Sequence, residues 1–259
     1  MKNKSKVAVI SDIHANADAL TVALNEIQSA GVDVSIVLGD VLTYGCQPIE
    51  VINVLNRYKK ESAVIFIKGN HDQLYFDLQS GADHASYNPP KFVKESVNWT
   101  IKEIASIKLK EVFTWQDDYY IGDVYFSHAN PFKYGDWSYI EDVKNLQKSF
   151  EALNVKKVFS GVFGHSHRQV FVGNKDGKIH EVNGYRQTDN IDQLIINTGS
   201  IGQPRGRGLG YIILEIEDDR LTKASFKQIN INFNNSISLI KKAGFSCETE
   251  AKLIKYLQE

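Results

Sequence analysis

Cysteine is scarce in this chain: Cys46 and Cys247 are the only two in 259 residues, and they lie far apart. That spacing suits neither a cysteine-zinc site nor the disulfide framework of a small secreted domain. Both are expected to be reduced thiols of a cytoplasmic protein. An excess of charge is also missing. The 30 Lys and Arg against 31 Asp and Glu leave a net charge of −1, which argues against a basic face built for stable nucleic-acid binding. Long apolar runs are absent as well. After a basic start over residues 1–6, the run Val7-Ala8-Val9-Ile10 stops at Ser11-Asp12, too short for a signal-peptide core. No stretch of about 18 apolar residues follows, so no membrane partner is expected. Internal repeats and low-complexity segments are missing too.

What remains is an ordinary globular composition, 42% hydrophobic and 24% charged, ample for one large α/β domain. Residues 7–10, 34–38 and 63–67 are short β-branched runs that read as buried strands. Between the first two, Asn16 can cap a helix carrying Leu20, Ala23, Leu24 and Ile27 at helical spacing, with Gly31 closing it. A second helix covers residues 48–58. The resulting β-α-β-α-β order predicts a parallel sheet with covering helices. Further on, the pattern predicts a helix over 91–107, a hairpin within 113–121, a strand over 123–127, a helix over 138–153 and a strand over 157–163. Strands then follow at 169–173, 178–182, 193–197, 210–217 and 221–229, with Asp176-Gly177 as a hairpin turn. We expect residues 1–235 to form the main domain and 236–259 a polar helical extension packed on it.

Metal-capable side chains stand directly after five of these strands. They are Asp12-Ile13-His14, Gly39-Asp40, Gly69-Asn70-His71-Asp72, His128 and Gly164-His165-Ser166-His167. Ligands bind at the C-terminal strand edge of open α/β sheets, where all five loops can meet. Carboxylate, amide and imidazole donors without thiolate suit Mn²⁺, Fe, Zn²⁺ or Ni²⁺. If the Asp-x-His and His-x-His pairs are extended, alternate residues share a face and each pair grips one region. A lone His-x-His is more often a surface or core histidine than a ligand, Asp12 alone can be a helix cap, and Gly39-Asp40 alone is an ordinary turn. Five such clusters at successive strand ends make the metal reading the better one.

The ordered set D-x-H, G-D, G-N-H-D, H and G-H-x-H resembles the signature of the calcineurin-like metallophosphoesterase superfamily over roughly residues 6–229. The resemblance implies a four-layer α/β/β/α sandwich with a dinuclear metal site at the C-terminal edge of the sheets. It implies that Asp12, His14 and His167 hold one divalent ion, that Asn70, His128 and His165 hold the second, and that Asp40 bridges them, Mn²⁺ being the expected ion. It further implies hydrolysis of a phosphate ester by a metal-activated water, with His71 acting on the leaving oxygen and Asp72 orienting it.

The segment Ile195-Ile196-Asn197-Thr198-Gly199-Ser200-Ile201-Gly202-Gln203-Pro204-Arg205 resembles a loop of small bacterial phosphodiesterase-like members. Asn197 and Ser200 can support the metal loops or simply form a turn. Arg205 and Arg207 are candidates for the substrate phosphate, solvated arginines being the plain alternative. Protein phosphatases of the superfamily carry Asp-Arg-Gly where this chain has Thr43-Tyr44-Gly45, which argues against that activity. A small phosphodiester, including a nucleotide-type one, is the expected substrate. Dinucleoside polyphosphate hydrolysis, phosphomonoesterase or protein phosphatase activity, and a non-catalytic interaction role are the alternatives. A serine hydrolase is not expected, because no Gly-x-Ser-x-Gly turn is present. Tyr44, Tyr134 and Trp137 can stack on a base but more often serve as core or rim. His84 and His180 stand outside the signature. Oligomerisation is left open.

Overall fold

The structure is a computed structural model and describes residues 4–82, 89–206 and 209–258. The chain begins with β1 (Lys4–Ile10), α1 (Ala17–Ser29), β2 (Val34–Val37), α2 (Pro48–Glu61) and β3 (Val64–Ile67). The helices α3 (Asn70–Ser80), α4 (Lys91–Glu103) and α5 (Leu109–Val112) follow, then the strands β4 (Trp115–Gln116), β5 (Asp118–Ile121) and β6 (Val124–Ser127). Helix α6 (Val143–Lys156) leads to β7 (Ser160–Phe163), β8 (Gln169–Lys175), β9 (Lys178–Val182), β10 (Tyr185–Arg186) and β11 (Gln193–Thr198). Strands β12 (Gly210–Glu217) and β13 (Arg220–Gln228) precede the last helices α7 (Asn234–Lys242) and α8 (Cys247–Gln258).

The strands make two sheets, one in the order β10-β13-β12-β1-β2-β3-β4 and one in the order β5-β6-β7-β11-β8-β9. Strands β1, β2 and β3 run parallel in the first, and β6, β7 and β11 run parallel in the second. The period of two along β1 sorts its side chains. Val7 and Val9 face the second sheet, where they pack with Phe126, Val162, Leu194 and Ile196. Ala8 and Ile10 face the opposite way, against Leu20, Ala23 and Ile27 of α1 and the α2 residues Val51 and Leu55. On the far side of the second sheet, Phe150 and Leu153 of α6 pack on Tyr125, Phe163 and Ile195. The layers are therefore α/β/β/α, as expected.

Caps and turns explain where the elements start and stop. Asn16 accepts the Ala19 N–H and opens α1. Asp142 does the same for Asn145, so α6 begins at residue 143 rather than 138. Lys157 leaves α6 in a left-handed turn, φ 58°, which consumes the residues expected to start β7. Asp176 and Gly177, φ 50° and 76°, form the tight β8–β9 turn. The expected hairpin within 113–121 is not one: β4 pairs parallel with β3 in the first sheet, whereas β5 pairs with β6 in the second. The chain crosses between sheets at Asp117. Helix α3 escaped the periodicity reading. It starts on the Gly69-Asn70 turn, where the Asp72 carboxylate accepts the Gly69 N–H, and it ends at the left-handed Gly81.

Helix α8 packs on α4 and α7 packs on α8, and Ile240 and Leu253 join the helix-side core of the first sheet. Glu95 of α4 accepts both the N–H and the hydroxyl of Ser246, fixing the α7–α8 turn. No helix of the described residues is long and apolar enough to cross a membrane. Phe126 belongs to the apolar layer between the two sheets and is fully buried. Replacing Phe126 with Ala is expected to lower the unfolding free energy by about 3–5 kcal/mol in equilibrium urea titration.

Candidate metal centre

Both sheets deliver their parallel strand ends to one edge. There β1 runs into Asp12 and His14, β2 into Asp40, β3 into Asn70, β6 into His128 and β7 into His165 and His167. Of these, Asp12, His14, Asp40, His165 and His167 have left-handed backbones, φ between 46° and 65°. Such φ values are uncommon outside glycine and tend to gather at functional sites. Neither Asp12-x-His14 nor His165-x-His167 is therefore an extended segment, contrary to the sequence expectation. The loops also touch closely. A Cβ on Gly39, φ 90°, would stand 2.2 Å from Gly69 N, and one on Gly164 would stand 1.9 Å from the Ser11 hydroxyl. Glycine at these places lets the loops, and the two sheets, approach.

The side chains form two buried groups, Asp12 with His14 and His167, and Asp40 with His128 and His165. The donor atoms within each lie within 4.8 Å of one another. In the first, His14 Nε2 is 3.0 Å from His167 Nε2, and Asp12 Oδ1 is 3.1 Å from His167 Nε2 and 3.7 Å from His14 Nε2. In the second, Asp40 Oδ2 is 3.5 Å from His128 Nε2. Asn70 Oδ1 lies 3.1 Å from the same nitrogen. Asp40 Oδ2 also lies 3.9 Å from His14 Nε2, so it faces both groups. His165 and His167, two residues apart, belong to different groups; they do not grip one region together.

Backbone carbonyls set the histidine tautomers. The Nδ1 atoms of His14, His128 and His167 face Leu42 O, Leu38 O and Gln203 O at 3.1, 2.5 and 2.7 Å. A proton on each Nδ1 leaves the Nε2 lone pair pointing into the centre. His165 is reversed: its Nε2 faces Trp137 O at 2.9 Å, which leaves Nδ1 as the inward atom. The carboxylates are divided in the same way. Asp12 Oδ2 accepts from the Ser11 hydroxyl and from His165 N, while buried Oδ1 has no hydrogen-bond partner. Asp40 Oδ1 accepts from His71 N and leaves Oδ2 inward.

This donor set fits divalent cations. Burial opposes ionisation of Asp12, yet His167 and His14 hold its carboxyl well below the usual carboxylate range. Asp40 is held below that range too, with burial overcome by His128 and His71. Burial pushes His165 and His167 down to about 4, so their inward lone pairs are free of protons near neutral pH. His128 goes the other way, to about 9, because Asp40 outweighs its burial. Imidazolium there is a positive charge among buried carboxylates, the charge that a metal ion supplies instead.

His71 lies beside these groups, its Nε2 4.0 Å from Asp40 Oδ2 and 3.2 Å from the Tyr44 hydroxyl; its buried Nδ1 has no partner. Burial brings its imidazole down to about 3. Asp72 does not orient it. That carboxylate accepts the N–H groups of Asp40, Val41 and Gly69 at 2.8, 3.1 and 2.8 Å. Asp72 thus welds the Gly39-Asp40 loop to the Gly69-Asn70 turn, and Tyr44 is the side chain in contact with His71. The sequence shows Tyr44 as the residue replacing an arginine and as a ring that can stack or pack; its approach to His71 depends on the left-handed turn at Thr43 and Tyr44, φ 78° and 68°.

The 197–203 loop buttresses the centre. Asn197 Nδ2 donates to Gly164 O and the Ser200 hydroxyl donates to Asp12 O. Asn16 Nδ2 donates to Gly202 O. Arg205 is close by, its N–H donating to His167 O at 3.4 Å. Arg207 and His84 lie outside the described residues, and His180 is exposed on β9. Trp137 and Tyr139 line the His165 side, the Tyr139 ring stacking on that imidazole at 4.4 Å.

A family model described as the calcineurin-like phosphoesterase superfamily domain matches residues 6–219. An uncharacterized protein of Methanocaldococcus jannaschii is 29% identical over 248 residues, covering 92% of this chain and 93% of that protein. Among solved structures, a metallophosphoesterase from Sphaerobacter thermophilus shares the fold at TM-score 0.72 and 22% identity, over 98% of this chain and 100% of that one. A hypothetical protein from Pyrococcus horikoshii does so at TM-score 0.74 and 18% identity, over 96% and 97%.

Because Asp72 satisfies three buried N–H groups, Asp72→Ala is expected to destabilise the protein by about 3 kcal/mol or more. His71→Ala, which breaks no backbone bond, should shift the urea midpoint far less. Ligand-linked stability gives a second expectation: stripping divalent ions with a chelator should lower the thermal midpoint by several degrees, and adding Mn²⁺ should restore it.

Proposed function

The chain belongs to the calcineurin-like phosphoesterase superfamily, and on that premise we propose that it is a metal-dependent hydrolase of small phosphodiesters, nucleotide-type esters among them. The observation that carries this reading is the position of Asp40 Oδ2, 3.9 Å from a ring nitrogen of one donor group and 3.5 Å from one of the other. One carboxylate placed between two sets of ring-nitrogen donors is the arrangement a paired-ion site needs. Asp12, His14 and His167 are assigned to one ion, and Asn70, His128 and His165 to the second, with Asp40 shared. We assign Mn²⁺ because the donors are oxygen and imidazole without thiolate, and we place the protein in the cytoplasm. Residues 1–235 form the phosphoesterase domain and residues 236–259 its extension in this reading.

Two bound divalent ions supply charge for the phosphoryl oxygens and acidity for an attacking water. The chain's own groups do the rest. Asp12 and Asp40 each spend one oxygen on a backbone N–H and keep the other fixed inward, so no reorganisation is needed during reaction. His71, in contact with Tyr44, is assigned to the leaving oxygen, which it meets as a neutral imidazole able to offer a hydrogen bond. Arg205 supplies a hydrogen-bonding fork for a non-bridging phosphate oxygen. Buried Tyr44 fills the place where protein phosphatases of the superfamily carry an arginine, which supports a small ester over a phosphoprotein.

The test is turnover of bis(p-nitrophenyl) phosphate and of p-nitrophenyl phosphate by protein loaded with Mn²⁺. Diester turnover that vanishes with chelator and exceeds monoester turnover is expected; absence of turnover with any divalent metal would refute the hydrolase. His71→Ala should lower kcat by about 100-fold or more while metal content measured by atomic emission stays the same. Full activity in that variant removes His71 from the mechanism.

A further inference from the structure

Arg205 is joined to the centre through its backbone, yet a different part of the chain holds its side chain. Its guanidinium lies 5.1 Å from the centroid of the Tyr256 ring, on α8. Gln203 Oε1 accepts from Nη2 at 3.3 Å, and the Arg205 N–H is tied to His167 O. Its Nε is buried and has no hydrogen-bond partner among the described residues. The side chain as a whole is half-buried, and a buried N–H donor left unspent is costly unless an acceptor arrives. Phosphate oxygens are the acceptors its planar fork fits best.

The surroundings of Tyr256 lead back to the site. Phe92 of α4 lies 6.0 Å from the Tyr256 ring and 6.0 Å from the Tyr44 ring, and the Tyr44 hydroxyl meets His71 Nε2. The contacts His167–Arg205–Tyr256–Phe92–Tyr44–His71 thus run from one side of the metal centre, over the C-terminal helix, to the other. Lys252 Nζ, 4.6 Å from the Tyr256 centroid, adds a second positive charge. Residue 256 lies beyond the 6–219 stretch that matches the family model, so the family signature says nothing of it.

We propose that α8 completes the substrate site: Tyr256 is a positioning residue that holds the Arg205 guanidinium at the rim of the metal centre, its free donors set for the phosphate of the ester. The inference rests on the phosphoesterase reading above. The physical reason is entropic. An arginine side chain free to rotate loses that freedom on binding, whereas one already stacked on a ring has lost it beforehand. The stack is electrostatic as well, since the ring face attracts the cation.

The experiment compares Tyr256→Leu and Tyr256→Phe, each with Arg205 intact and with Arg205→Ala. Two readouts are taken on Mn²⁺-loaded protein, calorimetric affinity for inorganic phosphate and steady-state kinetics with bis(p-nitrophenyl) phosphate. Tyr256→Leu should weaken phosphate binding and raise KM about fivefold, with kcat within about twofold, and Tyr256→Phe should keep most of the affinity because the ring remains. In the Arg205→Ala background, Tyr256→Leu should add nothing, since its effect passes through the arginine. Unchanged KM and phosphate affinity in Tyr256→Leu, full additivity with Arg205→Ala, or a Tyr256→Phe as weak as Tyr256→Leu would each overturn the inference. Wild-type protein that binds phosphate in this pattern but turns over no ester keeps the inference and sinks the hydrolase reading. Active wild-type protein lacking the pattern sinks the inference alone.

Discussion

Two carboxylates, Asp12 and Asp40, are buried at one edge of the molecule with imidazoles, and among the described residues no lysine or arginine, as their ion-pairing neighbours. Burial opposes the charge on both, and the imidazoles beside them, His128 above all, are what offset it. The loops around them are organised by that cost. Each carboxylate gives one oxygen to a backbone N–H from a distant loop, His165 for Asp12 and His71 for Asp40. Each turns the other oxygen toward ring nitrogens whose protons are held on the far side by carbonyls. The centre is thereby shaped as a gap in charge that a cation closes.

Holding that shape has its own cost in the backbone. Five of the seven candidate ligands sit at positive φ, in conformations worth about 1–3 kcal/mol of strain apiece. The compensation comes from a polar frame behind the ligands: Asp72 with its three N–H groups, Ser200 and Asn197 under the Asp12 and Gly164 carbonyls, and Asn16 on Gly202. None of these side chains reaches the centre, and all are buried.

The strand ends and the ligand types were legible in the sequence because both are local properties. A β-branched run followed by Asp or His needs no knowledge of the rest of the chain. The β-α-β-α-β pattern announced a parallel sheet with covering helices, whereas the four-layer order came from the resemblance to the superfamily. What the sequence hid was long-range or conformational. The role of Asp72 depends on three N–H groups, two of them over thirty residues away. The separation of His165 from His167 comes from left-handed φ values that a His-x-His pattern does not announce. Helix α3 was masked because its first residues read as ligands. Residues 113–121 read as a hairpin because their alternation is strand-like in both halves; only the pairing assigns Trp115 to one sheet and Tyr119 to the other.

The register of β1 carries a consequence for how the protein comes off the ribosome. One side of β1 pairs with β2, a near neighbour, but the other pairs with β12, where Lys4 meets Glu217 and Val9 meets Ile212. The most interior strand of the first sheet thus has a bare edge until roughly two hundred further residues have been made, on the order of ten seconds or more of translation. During that interval a short, strongly apolar strand is open to the wrong partner. The native first sheet is therefore closed only by the last strands to emerge, β12 and β13.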